Sequence, residues 1–276
     1  MLVDSHCHLD RLDLSPYEHD FGRCVRETLA GGVQHLLCVS INLEKYSFMR
    51  DLVDDFPEIS VSVGVHPNEE SCQEPSADQL VEMAKDPRVI AIGETGLDYF
   101  RSEGDLSWQQ NRFRTHIRAA IKAGKPLIIH AREAKADTLR ILKEERAERV
   151  GGVLHCFTED WDTAKVALDM NFYISLSGIL TFRNAEQIQE VAKKVPEHRL
   201  LIETDSPYLA PIPMRGKPNY PAYVRYVAEF LAHLRGASFP QIADITTRNF
   251  HTLFSVPISP GFDSSRRKHL IYNRSA

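Results

Sequence analysis

Six residues spread along the chain combine types and positions suited to holding divalent cations: His6, His8, Glu94, His130, His155 and Asp205. His6 and His8 stand two apart in Ser5-His-Cys-His8. On an extended strand side chains alternate, so both imidazoles project to one side and Cys7 to the other. Glu94 lies in Ile92-Gly-Glu-Thr-Gly96, His130 closes Pro126-Leu-Ile-Ile-His130, His155 sits in Val153-Leu-His-Cys-Phe157, and Asp205 in Leu201-Ile-Glu-Thr-Asp-Ser-Pro207. Nitrogen and oxygen donors without thiolate suit zinc, manganese or magnesium and leave positions for water and substrate. Six donors suffice for two ions, and Glu94 is the expected bridge, because an anionic carboxylate can share its oxygens between cations that otherwise repel. One histidine of the twelve in the chain proves nothing. The ordering of all six carries the argument.

The expected chemistry is hydrolysis, in which cations roughly 3.5 to 4 Å apart acidify water and clamp phosphoryl oxygens. Glu94 and Asp205 are the expected catalytic groups, Asp205 orienting the water and taking its proton, with a pure ligand role as its alternative. Glu203 shares parity with Asp205 one layer deeper, where it can accept a hydrogen bond from a ligating imidazole or serve as a buried ion-pair partner. His66, beside Pro67, is a substrate contact or a turn residue. Arg132, Arg215 and Lys217 are the phosphate-binding candidates, their alternative being solvated charge. Tyr99, Phe100 and Tyr208 can stack a base or simply pack. Asp98 is expected to hold the loop after Glu94, and Cys7 and Cys156 to be small buried apolar residues.

The elements that must position these groups are legible as strand-like runs at 2–6, 35–40, 59–65, 89–93, 126–130, 152–156, 172–177 and 199–204. Helical periodicity fills most of the intervals. Ser76 with Gln79 reads as a cap before Leu80, Val81 and Ala84, and Asn184 with Gln187 as a cap before a helix that Pro196 stops. Phe113, Ile117 and Ile121 recur at every fourth position after Gln109 until Gly124 and Pro126 end the pattern. Two more helices are expected at 223–234 and 241–254. Eight strand-helix units predict an α/β fold, a (β/α)₈ TIM barrel, and no glycine-rich phosphate loop supports a doubly wound sheet. The named acids and imidazoles all fall at C-terminal strand ends, the face where barrel active sites assemble. One barrel domain is expected over 1–260, with a functional loop at 211–221 and a poorly ordered tail at 261–276.

Composition sets the outer bounds. The 276 residues carry 33 Lys+Arg against 38 Asp+Glu, a formal charge of −5, which weighs against bulk adhesion to nucleic acid while permitting a local basic rim. No apolar run approaches the ~20 residues that span a bilayer, and MLVDSHCHLD lacks the features of a secretory signal, so a cytoplasmic location with no membrane partner is expected. Five cysteines with no C-x-x-C pair weigh against a disulfide framework or zinc knuckle.

Ser5-His-Cys-His-Leu-Asp10, Gly64-Val-His-Pro67, Gly93-Glu-Thr-Gly-Leu-Asp-Tyr99, Pro126-Leu-Ile-Ile-His130, Gly152-Val-Leu-His-Cys-Phe157, Ile202-Glu-Thr-Asp-Ser-Pro-Tyr-Leu-Ala-Pro211 and Arg215-Gly-Lys-Pro-Asn219 together resemble the TatD family of metal-dependent deoxyribonucleases, its YcfH-like branch most of all. The resemblance spans about residues 1 to 254. It implies a metal-dependent hydrolase barrel of the amidohydrolase type, binding two divalent cations (Mg, Mn or Zn) through His6, His8, Glu94, His130, His155 and Asp205. It also implies a glutamate where related amidohydrolases use a carboxylated lysine, hence activity independent of carbon dioxide. DNA is the implied substrate, attacked as a phosphodiester from the end of a single strand, 3'-5' in polarity. Two alternatives stay open at this point. One is a hydrolase of a carbonyl ester or amide, such as a D-aminoacyl-tRNA ester, and the other is a non-catalytic nucleic-acid-binding protein stabilised by metal. A monomer is compatible with everything in the sequence.

Overall fold

Runs rich in Val, Ile and Leu, buried on both faces, must pair with one another, and the amphipathic segments between them must cover the outer face. A computed structural model, which describes residues 1–257, shows this arrangement. The strands are β1 (Leu2–Cys7), β2 (Val33–Cys38), β3 (Ile59–Val63), β4 (Val89–Asp98), β5 (Leu127–Arg132), β6 (Gly152–Leu154), β7 (Phe172–Leu176) and β8 (Leu200–Ile202). They form one sheet in sequential order, and every adjacent pair is parallel. The helices are α1 (Phe21–Ala30), α2 (Tyr46–Leu52), α3 (Ala77–Met83), α4 (Ser107–Ala123), α5 (Lys135–Glu144), α6 (Trp161–Asp169), α7 (Glu186–Lys194), α8 (Val224–Arg235) and α9 (Phe239–Phe254). Strand and helix alternate eight times, which is the (β/α)₈ TIM barrel. The tail expected at 261–276 lies outside the described residues.

The barrel closes where β1 meets β8. The Asp205 N–H donates to the His6 carbonyl (2.9 Å) and the His8 N–H to the Ser206 carbonyl (2.8 Å). Side chains extend this seam: Ser5 Oγ donates to the Ile202 carbonyl (3.0 Å), and the Thr204 N–H donates to Asp4 Oδ1 (2.9 Å). Asp4 is fully buried there, and desolvation pushes its carboxyl up to about 8 against the opposing Thr204 hydrogen bonds. Inside the barrel Val3, Leu37, Ala91, Ile128, Val153, Tyr173 and Leu201 form one cluster, and α9 plugs its floor with Phe250 and Phe254.

Two strands change facing part-way along. In β1, Val3 belongs to the inner cluster whereas Cys7 belongs to the outer one, and the register slips between Asp4 and Cys7. In β4, Ala91 faces inward and Leu97 outward, with a slip between Ile92 and Thr95. Each slip reverses the alternation, so His6 and Glu94 point into the mouth of the barrel above an apolar floor. After its slip β4 continues to Asp98, well past the expected end at residue 93. There Gly96 adopts φ +139°, and a Cβ at that position would overlap the His130 carbonyl, so only glycine lets the two strands approach.

Other boundaries differ from expectation for local reasons. Ser76 does cap α3, its hydroxyl accepting from the Gln79 N–H (3.1 Å). The expected Asn184 cap is absent, since Ala185 occupies the position before α7 and makes no side-chain cap bond. Helix α9 starts earlier than expected, because Ser238 and Gln241 form a reciprocal capping box with Pro240 in the first turn. Among the described residues no helix is long and apolar enough to cross a membrane.

Candidate metal centre

At the C-terminal ends of the strands Glu94 is the hub. Its Oε2 lies 3.3 Å from His6 Nε2 and 3.7 Å from His8 Nε2. Its Oε1 lies 2.8 Å from His155 Nε2, 3.1 Å from His130 Nδ1 and 3.4 Å from His66 Nε2. Asp205 Oδ1 completes the first side, 3.4 Å from His8 Nε2 and 3.6 Å from His6 Nε2. The two sides touch through the rings of His6 and His155, stacked with centroids 3.9 Å apart. All six residues expected to bind cations are therefore gathered around one carboxylate, with His66 beside them.

The outward nitrogens of these rings fix where their lone pairs point. His8 Nδ1–H donates to the Val39 carbonyl (3.0 Å), His130 Nε2–H to Asp98 Oδ2 (3.1 Å) and His155 Nδ1–H to Glu203 Oε1 (3.2 Å). Each inward nitrogen of the neutral ring is then an acceptor facing Glu94 or Asp205, themselves acceptors. His66 is wired the other way. The Asn68 N–H donates to its Nδ1 (3.0 Å), so its proton sits on the inward Nε2 and it meets the cluster as a donor. His155 Nε2 and Glu94 Oε2 are buried without a hydrogen-bond partner among the described residues. Acceptors crowded against acceptors in a buried pocket are costly unless positive charge lies among them, so the donor set fits divalent cations.

Protonation follows the same electrostatics. Burial pushes the Glu94 carboxyl up, but the surrounding imidazoles, His155 foremost, outweigh it and hold the group well below the usual carboxylate range. Burial likewise disfavours charge on His155, yet Glu94 and Glu203 carry it well above an ordinary histidine. His8 and His130 are raised by their carboxylate partners against burial, whereas burial dominates at His6 and lowers it. Protons and cations compete for these nitrogens, so cation binding releases protons and weakens toward acid pH.

Outer contacts hold the candidate ligands in place. Glu203 is fully buried and accepts the Cys156 N–H (2.7 Å) as well as His155, matching the layer expected for it. Asp98 does hold its loop, accepting the Phe100 and Arg101 N–H groups on Oδ1 (3.1 and 3.0 Å). Its bond to His130, and Asn68 Nδ2–H donating to the same Oδ2 (2.8 Å), are features that sequence reasoning missed. Burial opposes ionisation of Asp98, but these hydrogen bonds prevail and lower it strongly. Weakening the carboxylate–imidazole pair lowers cation affinity. An Asp98→Asn variant is expected to bind zinc about 10- to 100-fold more weakly, read by competition with a fluorescent chelator. Unchanged affinity would remove Asp98 from the support of His130.

Helix α4 braces the same corner. Gln109 Oε1 accepts the Asp98 N–H (2.9 Å), Arg112 donates to the His66 carbonyl (2.9 Å), and His116 Nε2 accepts the Val65 N–H (3.0 Å). Burial pushes His116 down to about 4. The unfolded chain then binds more protons than the folded one between about pH 6.5 and 4, so this contribution is complete above 6.5 and drains away on acidification. The slope is at most about 1.4 kcal/mol per pH unit. Urea midpoints measured across that window should fall less steeply in His116→Gln than in the wild type, and parallel curves would contradict the assignment.

The substrate-contact candidates divide by location. Arg132 reaches over the Phe100 ring, its guanidinium carbon 3.8 Å from the centroid, and Arg215 over Phe182 at 4.1 Å. Lys217 is exposed on the loop after β8. Tyr99 is directed elsewhere: its hydroxyl donates to Asp137 (2.8 Å) and accepts from Gln110 (2.8 Å) in the helical layer, and the exposed ring at that corner is Phe100. Tyr208 is also exposed, its ring inclined at 65° to that of His8 at a centroid distance of 6.0 Å.

Comparison with known proteins agrees with this geometry. Residues 3–255 match the family described as TatD related DNase. The chain belongs to the TatD family. It is 48% identical to the uncharacterized metal-dependent hydrolase YcfH of Escherichia coli K12 over 259 residues, 94% of this chain and 97% of the relative. It is 32% identical over 251 residues to a Citrobacter koseri protein named 3'-5' ssDNA/RNA exonuclease TatD, covering 89% of this chain and 96% of that one. Among solved structures, the TatD homologue YJJV of Escherichia coli K12 superposes with a TM-score of 0.85 at 27% identity, over 93% of this chain and 98% of that chain. The protein is thus a TatD-family metal-dependent hydrolase, an enzyme with candidate cation-binding clusters at its barrel mouth.

Proposed function

We propose that this enzyme hydrolyses phosphodiester bonds of DNA from the end of an unpaired strand, using two divalent cations. The observation that carries the reading is the two-sided environment of Glu94, with His6, His8 and Asp205 on one side and His130 and His155 on the other. His6, His8 and Asp205 would hold one cation, His130 and His155 the other, and Glu94 would touch both. When bound, these cations supply positive charge against phosphoryl oxygens and acidify water.

The protein's own groups do the rest. Asp205, the most accessible of the clustered acids at 9% exposure, accepts the proton of the attacking water. His66 presents its Nε2–H to a substrate oxygen beside Glu94, while Glu203 and Asp98 keep His155 and His130 in register. Arg132, Arg215 and Lys217 make the rim attractive to phosphate although the chain as a whole is acidic. The printed name of the Citrobacter relative supports a nucleic-acid substrate and a direction of attack.

The test is a panel of end-labelled single-stranded DNA, duplex DNA, RNA and aminoacyl esters, assayed with magnesium, manganese or zinc before and after chelation. Stepwise shortening of single strands, abolished by chelation and restored by metal, is the expected result. Cleavage of the aminoacyl esters alone, with every DNA intact, would replace this reading with the carbonyl one.

A further inference from the structure

Arginines on this chain divide by location. On the outer helices most are neutralised: Arg118 meets Glu145 at 2.8 Å, Arg140 meets Asp137 at 2.7 Å and Arg225 meets Glu229 at 2.7 Å, whereas Arg235 donates to the Ala192 and Val195 carbonyls. At the C-terminal end of β5 and on the loop after β8, Arg132 and Arg215 have no carboxylate within ion-pair distance among the described residues. Each is backed by an aromatic face instead. Stacking orients the guanidinium plane yet uses none of its five N–H donors, which stay available at the edge for a bidentate anion.

Both aromatic supports are themselves tied down. The Phe100 N–H is held by Asp98, the carboxylate that also holds His130, while the ring stays 55% exposed. The Phe182 N–H donates to the Ile179 carbonyl (2.9 Å), and its own carbonyl accepts from Gln189 Nε2 (3.2 Å). Arg132 ends β5, and Arg215 follows β8, three places further round the ring. The loop after β6, which carries His155, lies between them.

Resting on the phosphodiesterase reading above, we infer that Phe100–Arg132 and Phe182–Arg215 are two phosphate clamps flanking the metal centre, one for each side of the bond that is cut. A substrate that fills both must carry a phosphate beyond the scissile one in each direction, so the first cut from a free hydroxyl end releases a dinucleotide rather than a mononucleotide. The preferred substrate class is therefore an unpaired oligonucleotide rather than a mononucleotide ester.

The experiment compares a single-stranded oligonucleotide with bis(p-nitrophenyl) phosphate, which has no flanking phosphates, on the metal-loaded enzyme. Arg132→Gln and Arg215→Gln should each raise KM for the oligonucleotide on the order of tenfold, the loss of a charge-assisted hydrogen bond. The penalty on the small diester should be markedly smaller. Each variant should also flatten the salt dependence of oligonucleotide binding by about one phosphate contact. Phe100→Leu and Phe182→Leu should reproduce part of the effect, and Arg132→Lys should restore charge without the stacked orientation, giving an intermediate KM. These replacements also serve if either glutamine variant fails to fold. Equal losses on both substrates, or an unchanged KM and salt slope, would overturn the clamps while leaving the nuclease reading intact. A wild-type enzyme that cleaves neither substrate with any metal overturns both.

Discussion

A Glu94→Gln variant is expected to keep the barrel, lose bound divalent metal, and lose hydrolytic rate on the order of a thousandfold, the several kcal/mol that cation charge supplies to a transition state. The cause lies in the arrangement of its two oxygens. Each faces at least two imidazole nitrogens, and an amide can offer an acceptor to only one side while turning an NH₂ toward the other. The pocket also loses the negative charge that offsets the repulsion between neighbouring cations. Metal content after gel filtration, measured beside the rate and a thermal melt, checks this. A variant with wild-type metal content and a rate within tenfold would show that Glu94 is not the shared ligand.

Asp205→Asn should reduce kcat by about 10² to 10⁴, the usual contribution of a positioned general base, with little change in oligonucleotide KM. The substitution is sterically quiet, because Asp205 sits at φ 55°, in the left-handed region that asparagine tolerates as readily as aspartate. Its N–H can still close the seam onto the His6 carbonyl. Metal analysis separates the two roles open to it. Full metal with lost turnover marks the proton acceptor, and metal lost along with turnover marks a ligand. Undiminished turnover would remove Asp205 from the reaction.

Much of this was legible in the sequence because strand periodicity and strand ends are local properties. Imidazoles and acids at the ends of apolar runs could be assigned to one face of a barrel without knowing any contact. The same alternation placed His6 with His8 and put Glu203 beneath Asp205. What it could not show are the slips in β1 and β4. A slip is set by the neighbouring strand, and nothing within Asp4–Cys7 or Ile92–Thr95 announces it. Local sequence shows Asp98 only as a loop holder for the same reason, since its bond to His130 spans 32 residues. Tyr99 and Phe100 illustrate a related limit. Two adjacent aromatic rings at a strand end must face different ways, and which one meets solvent depends on Gln110 and Asp137 from helices further along the chain. Asn184 has the composition of a cap, but the helix begins too late to use it.

The closure of β1 on β8 bears on how the enzyme comes into being. His6 and His8 precede Asp205 and Ser206, which hold their backbone, by nearly two hundred residues. A chain made only through the loop after β6 contains Glu94, His130 and His155, yet it has neither Asp205 nor the β8-side backbone partners of His6 and His8. Premature termination anywhere before the last strand thus yields an inert polypeptide instead of an unregulated hydrolase. Partners so far apart in sequence meet only after a large loop-closure entropy has been overcome, so hydrolytic competence should be among the last properties acquired during folding.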